Sequence, residues 1–215
     1  MNHSVLVTRP NYEYTTRYLS AWADKIIEFA KQRGDKVLDL DGERANRKEF
    51  ESMIKRHKPS FIFLNGHGNP GSIAGQANVT LIEENVNTGF LKETIVYAVS
   101  CESAKKLGAN SIEKGAKAYI GYSESFIFLI DRDKRTRPAD DKLASLFLDP
   151  SNQVVISLLK GHSAEEAHVA SQRFFSRNIL KLLNSQSKQE DTGAVRFLFW
   201  DMRFQVCQGD SKASL

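Results

Sequence analysis

The 215-residue chain has only two cysteines, Cys101 and Cys207. Two cysteines make no disulfide framework. No stretch approaches the roughly 18 apolar residues of a membrane span. The opening MNHSVLVTRP carries one short apolar run, Val5-Leu6-Val7, too brief for a signal-peptide core. Internal repeats and low-complexity tracts are missing. Charge of one sign is scarce: 30 basic against 26 acidic residues leave +4. So mild an excess permits contact with nucleic acid but does not argue for it. With 41% hydrophobic and 26% charged residues, the composition is that of a globular protein and excludes a disordered, collagen-like or membrane-bundle chain. The length predicts a single domain spanning 1–215, with a core that needs no staples. A reducing, cytoplasmic setting is expected, with no nucleic-acid or membrane partner.

What is present alternates between short apolar runs and amphipathic segments. Ser4 to Thr8 reads as a buried strand. Leu19, Trp22, Ala23, Ile26, Ile27 and Ala30 follow at helical spacing, and Gly34 suits the position just past a helix end. KVLDLD, Lys36 to Asp41, is a second strand. Asn46 with Glu49 resembles a capping box ahead of a helix carrying Phe50, Met53, Ile54 and His57, which Pro59 ends. Ser60 to Leu64, Thr94 to Ser100 and Ala116 to Tyr122 are three more apolar strands. Ser163 and Glu166 cap a further helix carrying Ala167, Ala170, Phe174, Ile179 and Leu183. VRFLFWDMRFQV, Val195 to Val206, reads as a last strand, open to an antiparallel edge position. Cys207 within it reads as packing, and the tail Gln208 to Leu215 is expected to fray. The order predicts an α/β three-layer sandwich: a mostly parallel central sheet of about six strands with helices on both faces.

In such sheets, sites form beyond the carboxyl ends of the strands. Two loops there carry chemistry. Asn65-Gly66-His67-Gly68-Asn69-Pro70-Gly71 follows one strand, and Cys101-Glu102-Ser103-Ala104 follows the next. A cysteine and a histidine form a nucleophile and a general acid/base. Glu102 to Leu107 is expected to form a short helix whose N-terminus lowers the Cys101 thiol pKa. The backbone N–H groups of Gly68 and Cys101 are the expected oxyanion donors. The blander readings are a core thiol at a strand end and a structural histidine in a glycine loop. Gly66-x-Gly68-x-x-Gly71 also matches a dinucleotide fingerprint, but Ser72 to Thr80 lacks the amphipathic helix that should receive a pyrophosphate. The histidines His3, His57, His162 and His168 meet no second ligand type at metal spacing. Neither a structural metal nor a cofactor is expected.

FLNGHG, ending in His67-Gly68, resembles the histidine block of the caspase-like (clan CD) cysteine peptidases. VYAVSCESA, with Cys101, resembles their cysteine block. AKAYIGYSESF, Ala116 to Phe126, is similar to the next strand of gingipain-like and CHAT-type domains. The likeness runs from about residue 4 to 207. It implies a cysteine endopeptidase acting on a peptide or protein through a Cys101–His67 dyad and a thioester. One departure is plain: caspases carry Gln-Ala before the cysteine and Gly two residues after it, where this chain has Val99-Ser100 and Ser103. Caspase-type specificity is therefore not implied.

The resemblance also implies a pocket for the first acyl-side residue, between the ends of the first, fourth and fifth long strands. Its candidate lining is Arg9, Ser100 and the Tyr122, Ser123, Glu124 stretch as far as Phe126. Arg9 would favour an acidic side chain by bidentate pairing. Glu124 or Asp131 would favour a basic one. The mixed-sign segment Asp131 to Asp141 is a specificity or processing loop, or simply solvated surface. Two other functions remain: a catalytically inactive caspase-like regulatory or binding domain, and a nucleotide-binding α/β domain.

Overall fold

The computed structural model describes residues 3–184 and 193–215. Five strands at the expected places build the parallel part of the main sheet: β1 (Ser4–Arg9), β2 (Lys36–Asp41), β3 (Phe61–Asn65), β7 (Ile95–Val99) and β8 (Ala118–Tyr122). Between β3 and β7 lie three short strands, β4 (Gly68–Asn69), β5 (Ser72–Ala74) and β6 (Thr80–Glu83), which form a small antiparallel sheet of their own. A last strand, β9 (Gln205–Gly209), pairs antiparallel with β8. The main sheet runs in the order β2-β1-β3-β7-β8-β9. The chain leaves β1 toward β2 on one side and returns to β3 on the other. The carboxyl ends of β1 and β3 are thus a topological switch point.

Side chains alternate along these strands between two cores. Val5, Val7, Phe61, Phe63, Tyr97, Val99, Ile120 and Tyr122 face one side. There they meet α1 (Tyr14–Gln32), α4 (Lys142–Leu159) and α5 (Ala164–Leu182). Leu6, Ile62, Leu64, Val96, Ala98 and Tyr119 face the other. They meet α2 (Arg47–His57), α3 (Leu107–Glu113) and the small sheet. Strands covered on both faces are apolar throughout, which is why their sequences show runs rather than alternation. The six periodic residues of α1 are all buried. Asn46 caps α2 by accepting from Glu49 N at 3.0 Å. Ser163 and Glu166 form the reciprocal capping box of α5.

Four expectations need correction. Val195 to Phe204 is a helix, α6, and only the following residues form β9. Its buried face consists of Ala194, Leu198, Asp201 and Gln205, so polar groups interrupt the 3.6-residue apolar period and leave an aromatic-rich run that looks like a strand. On α5, Phe175 rather than Phe174 enters the core, and Leu183 is exposed. The tail does not fray: Ala164 N donates to Ala213 O at 2.8 Å and Glu165 N to Ser211 O at 3.0 Å, docking it on the start of α5. No helix begins at Glu102; residues 101–106 are turns and α3 starts at Leu107. Among the described residues, no helix is long and apolar enough to cross a membrane.

Candidate active site

Parallel pairing of β3 with β7 sets the geometry. Asn65 lies opposite Val99 in register, so His67 and Cys101 each stand two residues beyond the last paired position on neighbouring strands. The two loops touch through glycine. A Cβ on Gly68 would collide with Ser100 Oγ and come within 2.9 Å of the Cys101 carbonyl oxygen. A Cβ on Gly66 would collide with the Ala74 carbonyl. Only glycine lets the histidine loop lie this close to the cysteine loop and the small sheet. The sequence after His67 turns directly into the β4–β5 hairpin, so the G-x-G-x-x-G spacing opens no helix.

His67 has a partner that sequence reading missed. Glu13 Oε1 lies 3.2 Å from His67 Nε2. Glu13 is also the N-cap of α1, accepting from Thr16 N at 2.7 Å and Thr15 N at 3.0 Å. Burial alone would raise its carboxyl pKa. The two backbone donors and His67 outweigh burial and hold it below the usual range. The edge of Tyr12 packs near the imidazole, with ring centroids 6.4 Å apart. A carboxylate at a helix start just after β1, on the carboxyl edge of the sheet, is the signal that would have pointed to Glu13.

Cys101 is a partly buried free thiol. Burial pushes its pKa up, against lowering by hydrogen bonds from the Phe126 backbone and the Ser125 side chain, and the thiol donates to the Phe126 carbonyl 3.8 Å from Sγ. The expected lowering by a helix N-terminus is absent because no helix starts there. The next residue, Glu102, sits in the left-handed region at φ 55°. That conformation costs a residue with a Cβ on the order of 1 kcal/mol. Its N–H donates to Glu124 O at 3.1 Å and its carboxylate meets Lys105 Nζ at 2.6 Å.

The remaining candidates are held by the chain itself. Arg9 forks onto Asp39 with two 2.7 Å bonds, and Asp24 and Asp41 stand 3.4 and 3.6 Å from it. Ser100 Oγ is buried under Gly68 with no partner among the described residues. The Tyr122 hydroxyl lies in the core against Ser151 Oγ at 3.0 Å and Gln205 Nε2 at 3.0 Å. Ser123 donates to Phe204 O, and Glu124 pairs with Lys105 at 3.1 Å. Asp131 accepts from Asp133 N, and the segment 131–141 forms two short 3-10 turns. Cys207 lies in β9, packed against the core.

Two concavities draw their lining from these segments. One, of about 420 Å³, is lined by His67, Gly68, Asn69 and Ser72 over the small sheet, and by Asn78 and Thr80. The other, of about 240 Å³, lies between Tyr14, Thr15 and Tyr18 of α1 and Phe126 to Phe128 and Ile130.

No family model matches the sequence, and no curated protein does. Solved structures do match its shape. The Arg-specific cysteine proteinase gingipain R (RgpB) superposes with TM-score 0.60 at 10% identity, over 99% of this chain and 47% of that one. The complex of Porphyromonas gingivalis RgpB pro- and mature domains superposes with TM-score 0.59 at 9% identity, over 99% of this chain and 48% of that one. The chain thus spans about half the length of the structures it matches. At this identity the likeness shows the fold: a six-stranded, mostly parallel sheet with helices on both faces, of the caspase-like kind.

Proposed function

We propose that the protein is a cysteine endopeptidase in which Cys101 is the nucleophile and His67 the general base and acid. One observation carries the reading: the β3–β7 register stands His67 level with Cys101, and Gly68 packs against the cysteine loop. The His67–Glu13 contact fits a ring whose Nε2–H donates to the carboxylate, with Nδ1 acting as the base in this reading. A thiol pKa raised by burial requires that base. The thiol proton passes to Nδ1 as Sγ attacks the scissile carbonyl carbon. Collapse of the tetrahedral intermediate expels the amine, which takes the proton from His67 and leaves a Cys101 thioester. Water, deprotonated by His67, then releases the acid and restores the thiol.

The oxyanion donors in this reading are the Gly68 and Cys101 N–H groups. Ala74 N donates to His67 O at 2.8 Å, so the next pair, Gly68 with Ile73, is the one without ladder bonds. Antiparallel alternation then turns the Gly68 N–H away from β5. Two free cysteines fit a reducing compartment, so the cytoplasm is the proposed location. The test is a broad peptide library. Wild-type protein should cleave it, Cys101→Ala and His67→Ala should each abolish cleavage, and iodoacetamide should label Cys101 ahead of Cys207. Full activity in Cys101→Ala would overturn the mechanism.

A further inference from the structure

Accepting Cys101 and His67 as the peptidase dyad, we infer that the acyl-side residue of the scissile bond is apolar, seated between Tyr14, Tyr18, Phe126 and Ile130. Each wall of the cavity begins beside a residue that contacts Cys101 or His67. Its α1 wall follows directly on Glu13, the partner of His67. Its opposite wall begins at Phe126, whose carbonyl lies 3.8 Å from Cys101 Sγ. The aromatic rings are fixed against one another. Phe126 lies 4.7 Å from Tyr122 and 6.0 Å from Phe128, and Phe128 lies 5.8 Å from Tyr18, all in tilted contact. A rigid apolar wall of this kind rewards burial of an apolar side chain and gives a charged one nothing in place of water.

Most of the charges around the cavity are already engaged. Asp141 accepts from Tyr18 Oη, Asp131 N, Leu143 N and Ala144 N, which fills its carboxylate. Asp201 is buried behind the wall, its Oδ1 accepting from Ile127 N and its Oδ2 without a partner among the described residues. Glu13 serves Thr15, Thr16 and His67. Arg9 is forked onto Asp39, and Glu124 is paired with Lys105. Arg135 lies over the Tyr14 ring at 5.1 Å, at the rim. The solved neighbour is named Arg-specific. No carboxylate is among the residues that line this cavity.

The test uses peptidyl chloromethyl ketones that differ only at the residue next to the warhead, with Leu, Phe, Asp, Asn, Lys or Arg there. The rate of Cys101 labelling is read by mass spectrometry, and hydrolysis of the matching peptides is followed in parallel. Leu and Phe should label about tenfold faster than the charged residues or more. Ile130→Glu should shift the ratio toward Lys and Arg by about tenfold. If Ile130→Glu fails to fold by circular dichroism, Tyr14→Glu, at a half-exposed rim position, should shift it the same way. Fastest labelling by Asp, Lys or Arg, or equal rates for all six, overturns the inference. Cys101-dependent hydrolysis after charged residues would sink this inference alone. No hydrolysis of any peptide, with no warhead faster than iodoacetamide, would sink the peptidase reading and this inference together.

Discussion

Glu13 performs two tasks that substitution can separate. As an N-cap it closes the start of α1, and as a carboxylate it holds the His67 ring. Glu13→Gln keeps one oxygen, enough for Thr16 N–H, but loses the charge and the second acceptor that serves Thr15 N–H. Its melting temperature should fall less than that of Glu13→Ala while kcat falls about a hundredfold. Glu13→Ala should lose the same activity and, in addition, about 1 kcal/mol of stability read by urea unfolding. Equal kcat in wild type and Glu13→Gln would remove Glu13 from the site. Gly68→Ala should behave differently, because its Cβ has no space against Ser100 Oγ. It should push the histidine loop off the cysteine loop and lower kcat, and the double variant Gly68→Ala/Ser100→Gly should recover part of it. At this scale the placing of His67 and Cys101 at neighbouring strand ends was legible because each follows a continuous apolar strand, where pattern and position coincide. Glu13 was not, because its partner lies 54 residues away and only the switch point brings them together. Arg9 was legible as a charge at a strand end, but three carboxylates around it could not be foreseen without the β1–β2 register.

Among the elements, α4 shows how a helix escapes a sequence reading. Pro150 stands inside it. A proline there removes one backbone donor and leaves the carbonyl four residues earlier without its helical partner. That carbonyl belongs to Leu146, and Asn178 Nδ2 on α5 donates to it at 2.8 Å. Ser171 Oγ, also on α5, donates to the Pro150 carbonyl at 2.8 Å. The helix is thus completed by its neighbour. Asn178→Ala should cost about 1–2 kcal/mol by chemical unfolding, as a half-buried acceptor loses its donor. Asn178→Asp, which offers no donor, should cost at least as much, and a cost near zero for both would refute this account of α4. The misread α6 follows the same logic from the other direction. Its inward face carries Asp201, whose contact is with the backbone of Ile127 rather than with an apolar surface. A hydrophobic period interrupted by a specific polar bond is invisible until the bond is seen. The parallel strands, the end of α1 at Gly34 and the N-caps of α2 and α5 had no such conflict, and they were legible nearly to the residue.

Across the whole molecule, Asp201 joins the helical layer to the segment that covers Cys101. It is fully buried, and burial holds its carboxyl pKa well above the usual range despite the Ile127 donor. For an acid raised on folding, the unfolded chain gives up its proton first. Stability from this residue is therefore full below the ordinary carboxylate pKa and declines as pH rises toward the folded value. Asp201→Asn keeps the oxygen that accepts from Ile127 N and removes the titration. Between acidic and neutral pH the wild type should lose more melting temperature than the variant. Half-buried His168 works in the opposite sense: burial lowers its pKa, so its contribution is lost as pH falls below the ordinary histidine range.

The most direct test of the peptidase account is the covalent intermediate itself. An acid-quenched reaction of wild-type protein with a cleaved peptide, digested and read by mass spectrometry, should show the acyl fragment as a thioester on the peptide containing Cys101. It should be absent in Cys101→Ala. Peptide turnover with no acyl group on Cys101, or with the group on Cys207, would contradict the account.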